Sequence, residues 1–366
     1  MAIAGGQITL DSTEGMDKIS QTEKVTSPYF SDGTTTLLGA SVVSSSLTDT
    51  NETYFFGISN SSTPTTEEFN VAFGSTNGYG SLLESNTKAE TEAIYNQYAS
   101  LLLAPTEVTG GFFISSPGSN SAVASGRDTE IYVMSARRSN MKDRINKGTW
   151  TVTFSGSLSD GTDGGKLLLT DDSVNDSPTA TPVGDRYNIV SGSGGTVVSE
   201  STARNFGFFY PNLGLLVFSA AELSASLPGY SGSLAETVKF GTGSGVMDGF
   251  AHATNASDTA DRKTGLRLIN CLTSGSLSFR DEEDEISAQY FCRVRSGQMN
   301  FSNNPTFVAG SLNELRQSTM KGNPSVYITS VQLYNSAGDM VAVGNLSTPL
   351  KKNFSSEATI KVELKY

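Results

Sequence analysis

The residues that could do chemistry in this chain are few and scattered. There is one histidine, His252, and there are two cysteines, Cys271 and Cys292. Nucleophilic catalysis needs a Ser or Cys, a base and a group that orients the base. His252 sits in Gly249-Phe-Ala-His-Ala-Thr-Asn255, inside a Gly- and Ser-rich segment, and neither cysteine has a nucleophile context. A catalytic zinc needs several ligands at set spacings, and no such spacing occurs. The acidic run Asp281–Glu285 reads as a solvated loop, because consecutive carboxylates rarely converge on one ion. Asp160-Gly-Thr-Asp163 reads as turn chemistry, and Asp171-Asp172-Ser173 as a further acidic stretch. A Ca²⁺ at either is the sharper alternative. Gly192-Ser-Gly-Gly195 lacks the following Lys-Ser/Thr of a phosphate loop and reads as a loop. Paired carboxylates for glycoside cleavage need no local motif, and the sequence leaves that alternative open. The expectation is a non-enzymatic protein with no cofactor and no resident metal.

One cationic stretch stands out: Arg137, Arg138, Lys142 and Arg144 fall within eight positions. The bland reading is a solvated loop with local ion pairs such as Asp143. The functional reading is a partner-docking point for an acidic patch on a neighbouring protein. The surrounding chain is strongly acidic, with net charge −12 and a pI near 4.6. Phosphate binding needs a basic footprint, so nucleic acid is not expected as a partner. Two cysteines in 366 residues make no disulfide framework, and buried thiols in a reducing cytosol are expected. The start Met1-Ala-Ile-Ala-Gly-Gly shows no signal peptide, and no apolar run reaches the roughly 18 residues of a membrane span.

The elements that must carry these residues read as strands. Hydrophobic residues are 37% of the chain and there are 37 glycines, which favours many short strands joined by turns. Thr149-Trp-Thr-Val-Thr-Phe154 alternates, with Trp150, Val152 and Phe154 on one face. Glu68–Phe73 alternates in the same way. Gly207-Phe-Phe-Tyr210 and Gly214-Leu-Leu-Val-Phe218 are continuous apolar runs around the tight turn Pro211–Gly214. Near the end, Val326–Tyr334 forms a hairpin with Met340–Leu346. Ile360, Val362, Leu364 and Tyr366 alternate with Lys361, Glu363 and Lys365, the period of a half-buried strand. One substantial helix is expected near 88–103. Thr87 and Glu90 make a capping box, Ala89, Ala93, Ile94, Tyr98, Leu101 and Leu102 form its apolar stripe, and Pro105 closes it.

The organisation expected is mostly β, with β-sandwich-like modules and one substantial α-helix. A polar N-terminal arm spans 1–38, an N-terminal β domain 39–125 and a middle β domain 126–280. A Gly/Ser-rich insertion lies near 223–263, and a C-terminal β module fills 286–366. Asn303-Asn304-Pro305 forms a stiff loop, because the proline restricts Asn304 and the Asn side chains can cap backbone groups.

Several segments resemble virion structural proteins of large contractile-tailed bacteriophages, those of marine bacteria and cyanobacteria above all. They are Arg138–Trp150, Tyr187–Ser193, Phe206–Gly214, Phe301–Phe307, Tyr327–Asn335 and the closing strand. The resemblance covers roughly 131–366, with gaps through the Gly/Ser-rich segment, and does not reach the N-terminal part. It implies a subunit of the contractile tail or baseplate that is made in the host cytoplasm and resides in the virion. Its partners would be other virion proteins and copies of itself, with no membrane or nucleic acid, and it carries over no catalytic residue. The alternative is a peripheral fibre-attachment or receptor protein that binds glycan.

Overall fold

A computed structural model of the chain describes residues 10, 17–39, 41–42, 55–60, 63–78, 90–114, 127–157, 163–198, 204–224, 268, 271–312 and 314–366. It is mostly β: of the described residues 52% are in strands and 12% helical, with a single helix of seven or more residues among them. In chain order the first strands are β1 (Lys18–Pro28), β2 (Thr36–Leu38), β3 (Ser41–Val42), β4 (Phe55–Asn60), β5 (Thr63–Ser75), β6 (Glu130–Ala136), β7 (Arg144–Ile145) and β8 (Thr151–Ser157). Next come β9 (Asp163–Asp171), β10 (Thr179–Thr181), β11 (Gly184–Ser193), β12 (Thr196–Val197), β13 (Gly207–Tyr210), β14 (Leu215–Ser219), β15 (Ser276–Ser278) and β16 (Arg280–Val294). The last are β17 (Val308–Ala309), β18 (Glu314–Leu315), β19 (Val326–Tyr334), β20 (Met340–Lys352) and β21 (Ala358–Lys365). Helix α1 (Glu90–Leu102) lies between β5 and β6, and the short α2 (Ala220–Ser224) follows β14. The chain divides into two compact units. The larger is Val25–Glu283; the smaller joins Met1–Lys24 to Asp284–Tyr366.

The larger unit is built on one antiparallel sheet in the order β2-β15-β8-β9-β11-β13-β14-β6-β5-β4-β3, with β10 and β12 added on β11. Its centre explains the continuous apolar runs. On β6, Ile131 and Val133 join one buried cluster, and Tyr132 and Met134 join another. On β14, Leu215 and Val217 face the first, and Leu216 and Phe218 the second. A strand covered on both faces shows no alternation, because both sets of side chains are apolar. Helix α1 covers one face, burying Thr91, Tyr95, Ala99 and Leu102. The other face encloses the larger cluster. There Phe69 of β5 lies 5.0 Å from Phe279, which follows β15. These strands are far apart in the sheet order, so the sheet doubles back and closes on itself. Trp150 stacks on Phe279 at 5.6 Å and meets Phe209 edge-on at 5.2 Å. Burying one such side chain contributes about 1.5–3 kcal/mol.

In the smaller unit, β16 pairs with β1 on one side and β21 on the other. The register sets Tyr290 against Val362 and Cys292 against Ile360. β19 and β20 form a separate two-stranded hairpin, closed by Gly338 at φ 89°. Its base is held by Lys352, whose buried Nζ donates to Ser296 O at 3.0 Å, Asn300 Oδ1 at 2.7 Å and Asn353 O at 2.8 Å. Asn304 caps its loop as its sequence implies, accepting from Thr306 N and Oγ1 at 3.0 Å.

The structure departs from the sequence reading in four places. Lys18–Pro28, placed in a polar arm, is an eleven-residue strand, because its partner β16 lies far away in sequence. The β regions expected at 39–125 and 126–280 share one sheet, since β5 pairs with β6 along seven residues. The acidic run Asp281–Glu285 is not a loop but the start of β16. The helix buries Tyr95 and Ala99 and leaves Ala93 and Leu101 exposed, so its apolar stripe is rotated from the one read off the sequence. Thr87 of the capping box, His252 and most of the Gly/Ser-rich insertion lie outside the described residues.

The turn between β13 and β14 makes the fold testable. Gly214 sits at φ 66°, and a Cβ there would press on Met141 Sδ and lie 2.8 Å from Ala136 Cβ. Gly214→Ala should destabilise the larger unit by about 1–3 kcal/mol, read as a lower midpoint in denaturant.

Candidate functional site

The cationic stretch and the acidic run, about 140 positions apart, pair with each other. β7 runs antiparallel to the start of β16, with Arg144 opposite Glu282 and Ile145 opposite Asp281. Arg144 Nε donates to Glu282 Oε1 at 2.7 Å, and Asn146 Nδ2 donates to the other carboxylate oxygen. Lys142 N donates to Asp281 Oδ1 at 2.9 Å, and its ammonium pairs with Glu283. Glu282 and Asp281 are buried. Burial pushes the Asp281 carboxyl up, partly offset by the Lys142 amide. Lys142 is pushed up by its hydrogen bond to Glu283.

The four docking candidates therefore divide. Lys142 and Arg144 face the chain's own acids. Arg137 and Arg138 remain at the surface, with Arg137 Nη1 donating to Glu67 O at 3.2 Å. Beneath them, Tyr29 Oη donates to Glu68 O at 2.8 Å and accepts from Arg137 N at 2.8 Å. Burial pushes the Tyr29 phenol well above its ordinary value.

The other acidic motif is also used internally. Both Asp171 oxygens accept from Gly148 N, at 2.9 and 3.0 Å, which anchors the turn into β8. Asp172 accepts from Asn188 N at 3.0 Å and Asn188 Nδ2 at 2.7 Å. Burial raises both carboxyls above 3.8. Among the described residues, no three His, Cys, Asp or Glu side chains are placed to hold a metal ion. Cys271 is buried, Cys292 is half-buried with its thiol pushed up by burial, and the two form no disulfide. No helix among the described residues is long and apolar enough to cross a membrane.

Of the seventeen exposed large apolar side chains among the described residues, ten lie in the smaller unit. Both enclosed clusters belong to the larger unit. On the β19–β20 hairpin Tyr327, Tyr334, Met340, Val341 and Val343 are exposed, the last two at 61% and 58%. Ile360, Val362 and Leu364 share a face of β21 and are only half covered. The smaller unit's charges balance, with ten Lys and Arg against ten Asp and Glu. The larger unit holds 15 against 27 and so carries the whole net charge. A neutral, apolar surface does not repel its own copies or other proteins. The hairpin was legible in the sequence; its lack of cover was not, because alternation does not say what lies against each face.

Compared with known proteins, the chain matches no family model, no curated protein and no solved structure.

Two outcomes follow. Arg144→Ala leaves Glu282 buried without its guanidinium and should cost about 3 kcal/mol. Lys142→Ala, at an exposed position, should leave the denaturation midpoint unchanged. The second concerns pH. Asp171 is raised in the native state, so the stability it contributes is full below its unfolded value and is lost as pH rises through the native one. The stability of the natural chain minus that of Asp171→Asn should fall as pH rises above the ordinary aspartate value of 3.8, measured by urea denaturation at each pH.

Proposed function

We propose that this chain is a non-enzymatic structural subunit of a bacteriophage virion, in the contractile tail or baseplate, acting by protein–protein assembly. The observation that carries the reading is the smaller unit's hairpin. A two-stranded hairpin is marginal alone in water, and this one leaves six large apolar side chains exposed. Exposed apolar surface of this kind marks an interaction site. The resemblance of Arg138–Trp150, Phe301–Phe307 and Tyr327–Asn335 to tail-phage virion proteins supports the location. Partners would be other virion proteins and further copies of the chain, across contacts of about 1,000 Å² or more. Arg137 and Arg138 are the cations left to meet an acidic neighbour.

The test is cryo-electron microscopy of virions that carry the chain, with immunogold labelling to locate it. Density at the tail or baseplate, with a neighbour seated on β19–β20, is expected. Absence of the chain from purified particles would overturn the reading. Val341→Asp and Val343→Asp should abolish incorporation while leaving the larger unit's denaturation midpoint where it was. Incorporation at the natural level in both variants would remove the hairpin from the assembly contact.

A further inference from the structure

The sheet of the smaller unit has an open edge. β21 pairs with β16 on one side, and among the described residues no strand pairs with its other side. The ladder decides which backbone groups are left over. Ile286 and Tyr366 exchange both backbone hydrogen bonds, at 2.8 and 3.1 Å. Such pairs recur at every second residue of an antiparallel ladder, and this one runs from Ser287–Lys365 to Val294–Ala358 without a shift. Ile360, Val362 and Leu364 therefore bond to β16. The N–H and C=O groups of Thr359, Lys361, Glu363 and Lys365 point away from it.

An open edge is a template for another strand, and lysines on it ordinarily keep other strands away. β21 carries two, Lys361 and Lys365, but Glu363 stands between them on the same face, and all three are exposed. That order is self-complementary. When β21 meets the β21 of a second copy antiparallel, about a two-fold axis at Val362, Lys361 lies opposite the partner's Glu363 and Glu363 opposite the partner's Lys361. Opposite charges across a strand pair are stabilising, and like charges are not. Within one chain Lys361 Nζ is 3.4 Å from Glu363 Oε2, so each carboxylate would sit between its own ammonium and the partner's. On the other face Ile360 meets the partner's Leu364 and Val362 meets the partner's Val362; these side chains are half covered in the single chain.

The backbone fits the same register. Lys361 and the partner's Glu363 both have outward N–H and C=O groups and can exchange both hydrogen bonds, as can Thr359 and the partner's Lys365. Moving the axis to Glu363 would set Lys361 against the partner's Lys365 and Glu363 against the partner's Glu363. The net charge favours this approach too. The smaller unit balances ten cations against ten anions, so contact through β21 joins neutral surface to neutral surface. We propose that β21 pairs with the β21 of a second copy about a two-fold axis at Val362, so that β1-β16-β21 of both copies form one continuous sheet. An isologous contact of this kind closes at two copies. It is separate from the hairpin, and its failure would leave the assembly reading standing.

Analytical ultracentrifugation of the full chain tests it, with Val341→Asp and Val343→Asp both present so that the hairpin does not contribute. One strand pair is a small interface, and a dissociation constant on the order of 10 µM is expected. Below and above that concentration the chain should pass from monomer to dimer, with no larger species. Val362→Cys in a Cys292→Ser background should cross-link the dimer on air oxidation. The Cα atoms of a non-hydrogen-bonded pair are about 4.5 Å apart, within disulfide reach. Thr359→Cys, about 20 Å from its counterpart in this register, should not cross-link. Glu363→Lys should weaken the dimer about tenfold, and adding Lys361→Glu should restore it. Both side chains are exposed, so the denaturation midpoint should hold and separate lost pairing from lost folding. A monomer at every concentration would overturn the proposal. So would growth beyond two copies, a dimer that Val362→Cys does not cross-link, or one that Glu363→Lys leaves intact.

Discussion

The larger unit depends on the aromatic contact that closes its sheet. Phe69, Phe279, Trp150 and Phe209 form a continuous chain of rings with centroids 5.0–5.6 Å apart. Tyr29 extends it, 5.0 Å from Phe69. These rings come from β5, from β13 and from the segments beside the paired strands β8 and β15, so one cluster ties β5 and β13 to a strand pair with which neither shares a ladder. Aromatic pairs add about 0.5–1.5 kcal/mol each beyond the area they bury. Without them a sheet of this length would have a long apolar face and nothing to cover it. The charged clasp of β7 on β16 lies next to the same cluster. Arg144 reaches Glu282 because the pairing of β8 with β15 continues into that of β7 with β16, with Trp150 stacked on Phe279 beside it.

Among the described residues, the smaller unit has no such enclosed cluster. Its described strands bury single residues, such as Ala288, Val294 and Ala358, and the polar hub of Lys352. Its hairpin has backbone hydrogen bonds and a fixed base but no apolar cover. This is the state expected of a surface completed by another protein, where burial supplies what the isolated chain does not. The balanced charge of this unit suits that role, while the excess negative charge sits on the larger unit and favours solubility.

Much of this was legible in the sequence. The alternation of Trp150, Val152 and Phe154 gave both strand and buried face, because β8 has one core side. The runs at 207–210 and 214–218 marked strands buried twice, and Gly214 marked the turn between them. What stayed hidden is non-local. Lys18–Pro28 carries little apolar pattern and becomes a strand only through β16. The acidic run looks like a solvated loop until the cationic stretch is laid against it. The helix stripe was misplaced because Tyr95 and Thr91 are amphipathic, and Tyr95 is buried with its hydroxyl donating to Asp128 O at 2.7 Å.

The central claim is that the β19–β20 hairpin is a surface completed by assembly. Hydrogen–deuterium exchange of the chain, free and in assembled particles, tests it most directly. Amides of 326–352 should exchange quickly in the free chain and become protected in the particle, while those of β6 and β14 are protected in both. Rapid exchange of the hairpin in the particle, with new protection confined to the larger unit, would contradict it.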